Sequence, residues 1–209
     1  MSLQPKHRNT ISDTEREFGA MAFTVVYDAC VLYPAPLRDL LLRVAMTSVV
    51  RARWSEAILD ECFRSILRQR PNLSESALQR TRELMTRAIP DCMIDGYQEL
   101  VDGLALPDPD DRHVLAAAIR AGAQAIVTFN LKDFPVSALS QYGIEALHPD
   151  DFLLDLIVLA PDELCAAVVK QARTLRRPPM TIGEVLDTLR SLGLVVSAAK
   201  LLSLLRVDR

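Results

Sequence analysis

Long apolar runs are missing from this chain. Half of its 209 residues are hydrophobic, yet charges break every apolar stretch short of the roughly 20 residues that a bilayer-crossing helix needs. No transmembrane span is expected, and the N-terminal segment has no apolar core resembling a signal peptide, so a reducing cytoplasm is the expected setting. Cysteines are few: Cys30, Cys62, Cys92 and Cys165 lie in mostly apolar surroundings. They lack the paired spacing of a zinc site and the density of a disulfide scaffold, and read as small buried hydrophobes. The three histidines form no close cluster; His113 and His148 read as structural, and His7 falls in the N-terminal segment. Phe, Tyr and Trp total eleven, too few for both a core and a platform that stacks bases one by one. No internal repeat or low-complexity tract is visible.

Charge is present but unevenly distributed. Lys and Arg total 24 against 27 Asp and Glu, a near balance that conceals segregation. Arg43 to Arg87 holds nine arginines and five acids; Asp91 to Asp111 holds seven acids and no base; Lys170 to Arg209 holds eight bases and three acids. Separate basic and acidic regions would place a polyanion beside a cation-binding acidic pocket.

The acidic region leads into the most informative stretch, Leu106 to Pro135. Asp108, Asp110 and Asp111 crowd the start of an alanine-rich apolar helix that ends near Gly122. An apolar segment, Ala125 to Phe129, follows and then Asn130 and Asp133. Such a helix and strand form one α/β unit, and in open parallel sheets sites form in the crevice beyond the carboxyl ends of the strands. Near a helix start, carboxylates are favoured by the exposed amides and the helix dipole. Several anions converging on one point repel one another unless a cation sits among them, and an oxygen-rich, histidine-poor setting suits a hard ion such as Mg2+ or Mn2+. The plainer alternative is that Asp110 or Asp111 only caps the helix while its neighbours are solvated turn residues around Pro107 and Pro109.

A second acidic position lies earlier. Phe23 to Tyr27 is a short, β-branched apolar run that predicts a strand buried on both faces, ending at Asp28. Leu37 to Met46 predicts a helix, Ser48 to Arg51 a weak strand, and Ser55 caps a helix to about Arg68 with an apolar stripe of Leu59, Cys62, Phe63, Ile66 and Leu67. Glu61 lies on one shoulder of that stripe; alternatively, it is a surface partner of Arg64 or Arg68. Asn72 with Glu75 reads as a capping box for a helix through Ala88. Cys92 to Ile94 and Ile144 to Leu147 read as brief strands, with a short helix near Gln98 to Gly103. Beyond Phe152 the pattern is wholly helical, with Thr181 and Glu184 forming another capping box and Arg176 to Pro179 a connector. Three units are expected: a flexible tail at 1–21, an α/β domain at 22–152, and a helical appendage at 153–209 whose apolar side covers the core, a partner or another copy.

Four motifs in this order resemble the PIN domain family, and within it the VapC-like ribonuclease toxins of type II toxin-antitoxin systems. They are Val-Val-Tyr-Asp-Ala-Cys-Val-Leu-Tyr around Asp28, Ser-Glu-Ala-Ile-Leu-Asp-Glu around Glu61, Pro-Asp-Pro-Asp-Asp-Arg-His-Val-Leu-Ala-Ala-Ala around Asp111, and Ile-Val-Thr-Phe-Asn-Leu-Lys-Asp-Phe around Asp133. The resemblance covers roughly Phe23 to Phe152. It implies a three-layer α/β/α fold with a central parallel sheet, to which this chain adds the helical appendage. It also implies an Mg2+- or Mn2+-dependent endoribonuclease acting on RNA, a cognate antitoxin as partner, and in many relatives a homodimer.

Carried over by residue, the family's acidic positions fall on Asp28, Glu61 and Asp111, with Asp108 and Asp110 in support. Many relatives have an acid where this chain has Asn130, so Asp133 takes the fourth position. Asp28 and Asp111 are assigned as metal ligands, Glu61 as a ligand or a positioner of bound water, and Asp133 as acting through a second ion or an outer water. Asn130 can offer its carbonyl or hydrogen-bond to phosphate, and Thr128 stands at the strand end beside it. Arg51, Arg53, Arg64, Arg68, Arg112 and Lys132 are the candidate RNA contacts. A competing reading keeps the fold but not turnover: an RNA- or protein-binding regulatory module, for which Asn130 is the supporting feature. An α/β phosphatase fits poorly, because position 30 is Cys, where an Asp-x-Asp start needs an acid, and no glycine-rich phosphate cradle is present.

Overall fold

The computed structural model describes residues 23–176 and 178–207; the tail expected at 1–21 lies outside the described residues. Five short strands form one sheet: β1 (Thr24–Tyr27), β2 (Arg51–Ser55), β3 (Met93–Ile94), β4 (Ala125–Val127) and β5 (Glu145–Leu147). Every pairing is parallel, and the spatial order is β3-β2-β1-β4-β5. The chain therefore steps outward from β1 in one direction and then returns to build in the other. This reversal between β1 and β4 opens a crevice at their carboxyl ends. In β1, Val25, Val26 and Tyr27 are buried, and β4 is buried throughout, as expected for the centre of a sheet covered on both faces.

Helices fill the crossovers and complete the three-layer α/β/α arrangement. After β1 come α1 (Ala29–Leu32) and α2 (Ala35–Ala45); α3 (Glu56–Gln69) and α4 (Glu75–Ala88) join β2 to β3; α5 (Gln98–Val101) and α6 (Arg112–Ala121) lead to β4; and α7 (Val136–Leu139) precedes β5. The alanines of α6 have a packing purpose. Ala116, Ala117 and Ala118 are fully buried, and their small side chains let the helix lie close against β1, β2 and β4. Gly122 ends α6 in the left-handed region at φ 60°, a conformation that costs glycine nothing.

Two local expectations shift. The second strand spans Arg51–Ser55 rather than Ser48 to Arg51, because the Thr47 and Ser48 amides still bond back to Val44 and Ala45 and close the end of α2. Pairing with β1 begins only at Arg51, and Ala52 and Trp54 then carry the buried face. The start of α4 is capped by Ser74, whose hydroxyl accepts from the Ala77 amide at 3.2 Å, and not by Asn72, which sits in the preceding turn. Ser55 caps α3 as expected, accepting from the Ile58 amide.

Four further helices follow β5: α8 (Pro149–Leu159), α9 (Pro161–Thr174), α10 (Ile182–Ser191) and α11 (Val195–Val207). The expected boundary at 152/153 falls within α8. Phe152 is fully buried and meets Tyr27 and Phe23 edge-on at centroid distances of 6.1 and 6.3 Å. On α9, the Gln171 amide donates to the Pro36 carbonyl at 2.8 Å, and Arg43 of α2 donates to the Thr174 hydroxyl at 2.8 Å. Leu186, Leu189 and Leu201 join the same buried cluster as Val25 and Ile126. Of the three coverings expected of the appendage, packing on the core of the main domain is present. The Thr181–Glu184 capping box forms in full.

Asp150 links the first and last of these helices. Though buried, its carboxylate accepts from the Val196 and Ser197 amides at the start of α11 at 3.0 and 2.8 Å. Burial alone would raise its pKa, but the Ser197 side chain and these amides outweigh it and hold the group below the ordinary carboxylate value. A depressed folded-state pKa stabilises the fold at neutral pH, and the contribution disappears as pH falls below the usual Asp range and through the folded value. Asp150→Ala is expected to cost about 1–2 kcal/mol in denaturant unfolding at pH 7, the range for losing a helix cap. The difference from wild type should shrink toward pH 3; an equal gap at both pH values would contradict the capping role.

Candidate metal centre

Asp28, the first residue past β1, sits at the mouth of the β1/β4 crevice and is buried. Its amide donates to the Val127 carbonyl at 3.1 Å, tying the two strand ends together. Three donors hold its carboxylate: the Ala29 amide on Oδ1 at 2.6 Å, and the Thr128 hydroxyl and the Cys30 thiol on Oδ2 at 2.7 and 3.1 Å. Burial pushes its pKa up, the Thr128 and Cys30 hydrogen bonds pull it down, Glu61 raises it again, and the net direction is up.

Facing Asp28 is the turn that opens α6. Asp108 caps a 3-10 turn, Pro109–Asp111, by accepting from the Asp110 amide at 2.9 Å. Asp110 itself is exposed. Asp111 precedes α6 but makes no capping bond. Neither expected helix cap, Asp110 or Asp111, therefore operates, and the capping work at this turn is done by Asp108. The Asp111 Oδ2 atom is instead buried without a hydrogen-bond partner among the described residues.

A second short turn, Leu131–Asp133, brings in Asp133 after β4. One carboxylate oxygen from each of Asp108, Asp111 and Asp133 can be chosen so that all lie within 4.8 Å of one another. The Asn130 carboxamide donates to Asp133, and the Asn130 amide donates to the Thr128 hydroxyl oxygen at 2.9 Å. Glu61 approaches from α3 and pairs with His113 Nε2 at 3.3 Å. Burial, followed by the charges of Asp28, Asp108, Asp133 and Glu61, raises the Asp111 pKa to about 7. Five carboxylates thus bear on one point.

This donor set fits a hard divalent cation: the ligands are oxygens, they converge, and Asp111 has a buried oxygen with no partner among the described residues. Asp108, Asp111 and Asp133 form the tight group, while Asp28 and Glu61 flank it. Of the residues with an expected supporting role, Thr128 and Asn130 join the network, and Asp110 contributes only its amide.

The basic residues scatter. Arg112 and Lys132 flank Asp111 and Asp133, and Arg112 Nε is buried without a partner among the described residues. Arg64 and Arg68 are exposed on α3 beyond Glu61, and Arg68 donates to Ser65. Arg51 pairs with Thr24 at the amino end of β1, the end of the strand opposite Asp28. Arg53 bonds the Met93 carbonyl.

Two members of this region, Cys30 and His113, differ from the purely structural roles that the sequence suggests. Cys62, Cys92 and Cys165 are buried as expected, but Cys30 is half-buried and hydrogen-bonded into the site. Its signal was position: two residues past a strand-ending Asp, on a one-turn helix, a side chain can reach back to that carboxylate. His113, read as structural, meets Glu61 across α3 and α6, a contact that no sequence spacing encodes. A groove of about 610 Å³ runs between α2, α4 and the C-terminal helices and shares no lining residue with the acidic cluster.

A PIN domain model matches residues 24–132, just over half of the chain. The chain belongs to the PIN domain family. The PIN match contains Asp28, Glu61, Asp108, Asp111 and Thr128 and stops one residue before Asp133. A VapC50 C-terminal domain model matches residues 149–203, from the first turn of α8 into α11. The "Putative ribonuclease VapC50" of Mycobacterium tuberculosis (strain ATCC 25618 / H37Rv) is 46% identical over 94 residues, 45% of this chain and 55% of that protein. The chain thus spans little more than half the length of that relative. No solved structure gives a significant match.

Replacing one of the crowded acids has a measurable consequence. In chelator, Asp111→Asn is expected to melt about 2–4 °C above wild type, the shift that roughly 1 kcal/mol of relieved repulsion and desolvation gives in a chain of this size. Mn2+ at about 100 times its dissociation constant should stabilise wild type by about 2.7 kcal/mol and the variant far less. Scanning calorimetry with EDTA and with Mn2+ checks both, and equal Mn2+ responses would remove Asp111 from the centre.

Proposed function

We propose that this PIN domain protein is a divalent-metal-dependent endoribonuclease, the toxin of a toxin-antitoxin pair. The observation that carries the reading is the convergence of Asp108, Asp111 and Asp133 at the β1/β4 crevice, with a buried Asp111 oxygen that no group among the described residues satisfies. The match to the VapC50 C-terminal domain and the likeness to the mycobacterial relative support the toxin branch.

Asp108, Asp111 and Asp133 would hold Mg2+ or Mn2+, with Asp28 and Glu61 as further ligands or orienting groups. Bound there, the ion would lower the pKa of water and offset charge developing on a phosphodiester. The chain's own work is positional. Thr128 and Cys30 fix the Asp28 carboxylate, Asn130 orients Asp133, and His113 holds Glu61. Arg112 and Lys132 are the basic side chains adjacent to the acids, and they fit contact with the phosphate backbone. With few aromatics on the chain, recognition falls on RNA shape or an exposed loop. We assign the nuclease to the α/β domain that ends with β5 and the appendage to the helices from α8 onward, with an antitoxin protein as partner, a homodimer as the assembly and the cytoplasm as the compartment. Four free cysteines suit that compartment.

The test is cleavage of total RNA and of defined tRNA and rRNA by purified protein in Mg2+, Mn2+ or EDTA. Metal-dependent cleavage is expected, with Asp28→Asn folded but at least ~100-fold slower, as for disturbing a metal ligand or its supporting partner. Wild-type turnover in Asp28→Asn would remove that residue from the machinery. Absence of cleavage by folded, metal-loaded, antitoxin-free protein would favour the binding-module reading.

A further inference from the structure

We infer that Cys30 is a positioning residue for the metal centre: its thiol sets the Asp28 carboxylate and locks the β1 and β4 ends together, acting through Asp28 rather than as a ligand itself. The inference rests on the metal-dependent reading above.

The geometry assigns the thiol two opposite tasks. Cys30 Sγ donates to Asp28 Oδ2 at 3.1 Å and accepts from the Phe129 amide at 3.3 Å, while lying 3.3 Å from Thr128 Oγ1. Thr128 donates to the same Asp28 oxygen at 2.7 Å and accepts from the Asn130 amide. Two side chains, one from each arm of the crevice, therefore converge on Oδ2, and the Ala29 amide holds Oδ1. The carboxylate cannot rotate without breaking one of these bonds. Removing the thiol would also leave the Phe129 amide without the acceptor that fixes the start of the loop carrying Asn130 and Asp133. One sulfur thus couples the position of Asp28 to that of the acid delivered by the other strand.

A serine keeps a donor and an acceptor at the site, whereas alanine and valine keep neither. The experiment is calorimetric titration of the full chain with Mn2+ for wild type, Cys30→Ser, Cys30→Ala and Cys30→Val, with thermal unfolding of each in EDTA and with Cys165→Ala as a buried-cysteine control. The expected result is Mn2+ affinity weakened about 10-fold or more in Cys30→Ala and Cys30→Val, the size typical of losing an outer partner of a metal ligand. Cys30→Ser should stay within about 3-fold of wild type, and Cys165→Ala should bind Mn2+ normally even if it melts lower. A merely structural cysteine would move the melting temperature but not the affinity of the folded protein. Unchanged affinity in folded Cys30→Ala or Cys30→Val, or a loss in Cys30→Ser as large as in Cys30→Ala, would overturn the inference while leaving the metal-dependent reading intact. If wild type binds no Mn2+, both fall together.

Discussion

Carboxylates crowded into one crevice repel one another, and the fold has to contain that repulsion. Asp28, Glu61, Asp108, Asp111 and Asp133 come from four stretches of the sequence, Asp108 and Asp111 sharing one turn, and the other four all raise the cost of ionising Asp111. A fold gains nothing in stability from such an arrangement: like charges brought together in a partly desolvated crevice disfavour one another's ionised form. The sheet order nevertheless places two of these acids at the carboxyl ends of β1 and β4, where the chain reverses direction. The apolar remainder of the molecule supports that concentration of charge. Fully buried β4, the alanine face of α6 and the Tyr27–Trp54 stack give the crevice rigid walls.

The C-terminal helices extend the same logic. They are joined to the main domain by a common core, by the Gln171–Pro36 bond and by Asp150, which satisfies the first amides of α11. Asp150 and Asp111 are both carboxylates at least partly withdrawn from water, with opposite pKa directions. Asp150 is surrounded by donors, and Asp111 by anions. The contrast separates a carboxylate that holds the fold together from one that is kept available.

Much of this was legible in the residues. β1, β4, α3, α6 and the capping box at Thr181 follow from patterns that local physics enforces: β-branched runs, apolar stripes and hydroxyl caps. Asp28 and Asp111 are legible as candidates because each stands at the junction of a strand or helix with a loop. The start of β2 was misplaced because residues 48–51 are apolar enough for a strand, while the hydrogen bonds closing α2 extend through Ser48. Asp108 was ranked below Asp111 because sequence spacing distinguishes the residue that opens a helix but not which oxygens converge. Cys30 and His113 escaped because their partners, Thr128 and Glu61, are distant in the chain, and only folding brings them into contact.

The most direct test of the central claim, that this crevice is built to hold a divalent cation, is a crystal structure of the protein grown with Mn2+ and measured at the manganese absorption edge. The expected result is an anomalous peak coordinated by oxygens of Asp108, Asp111 and Asp133, with Asp28 beside it and Asp111 Oδ2 among the ligands. A well-ordered, fully ionised acidic cluster with no manganese, or manganese bound only elsewhere on the molecule, would contradict it.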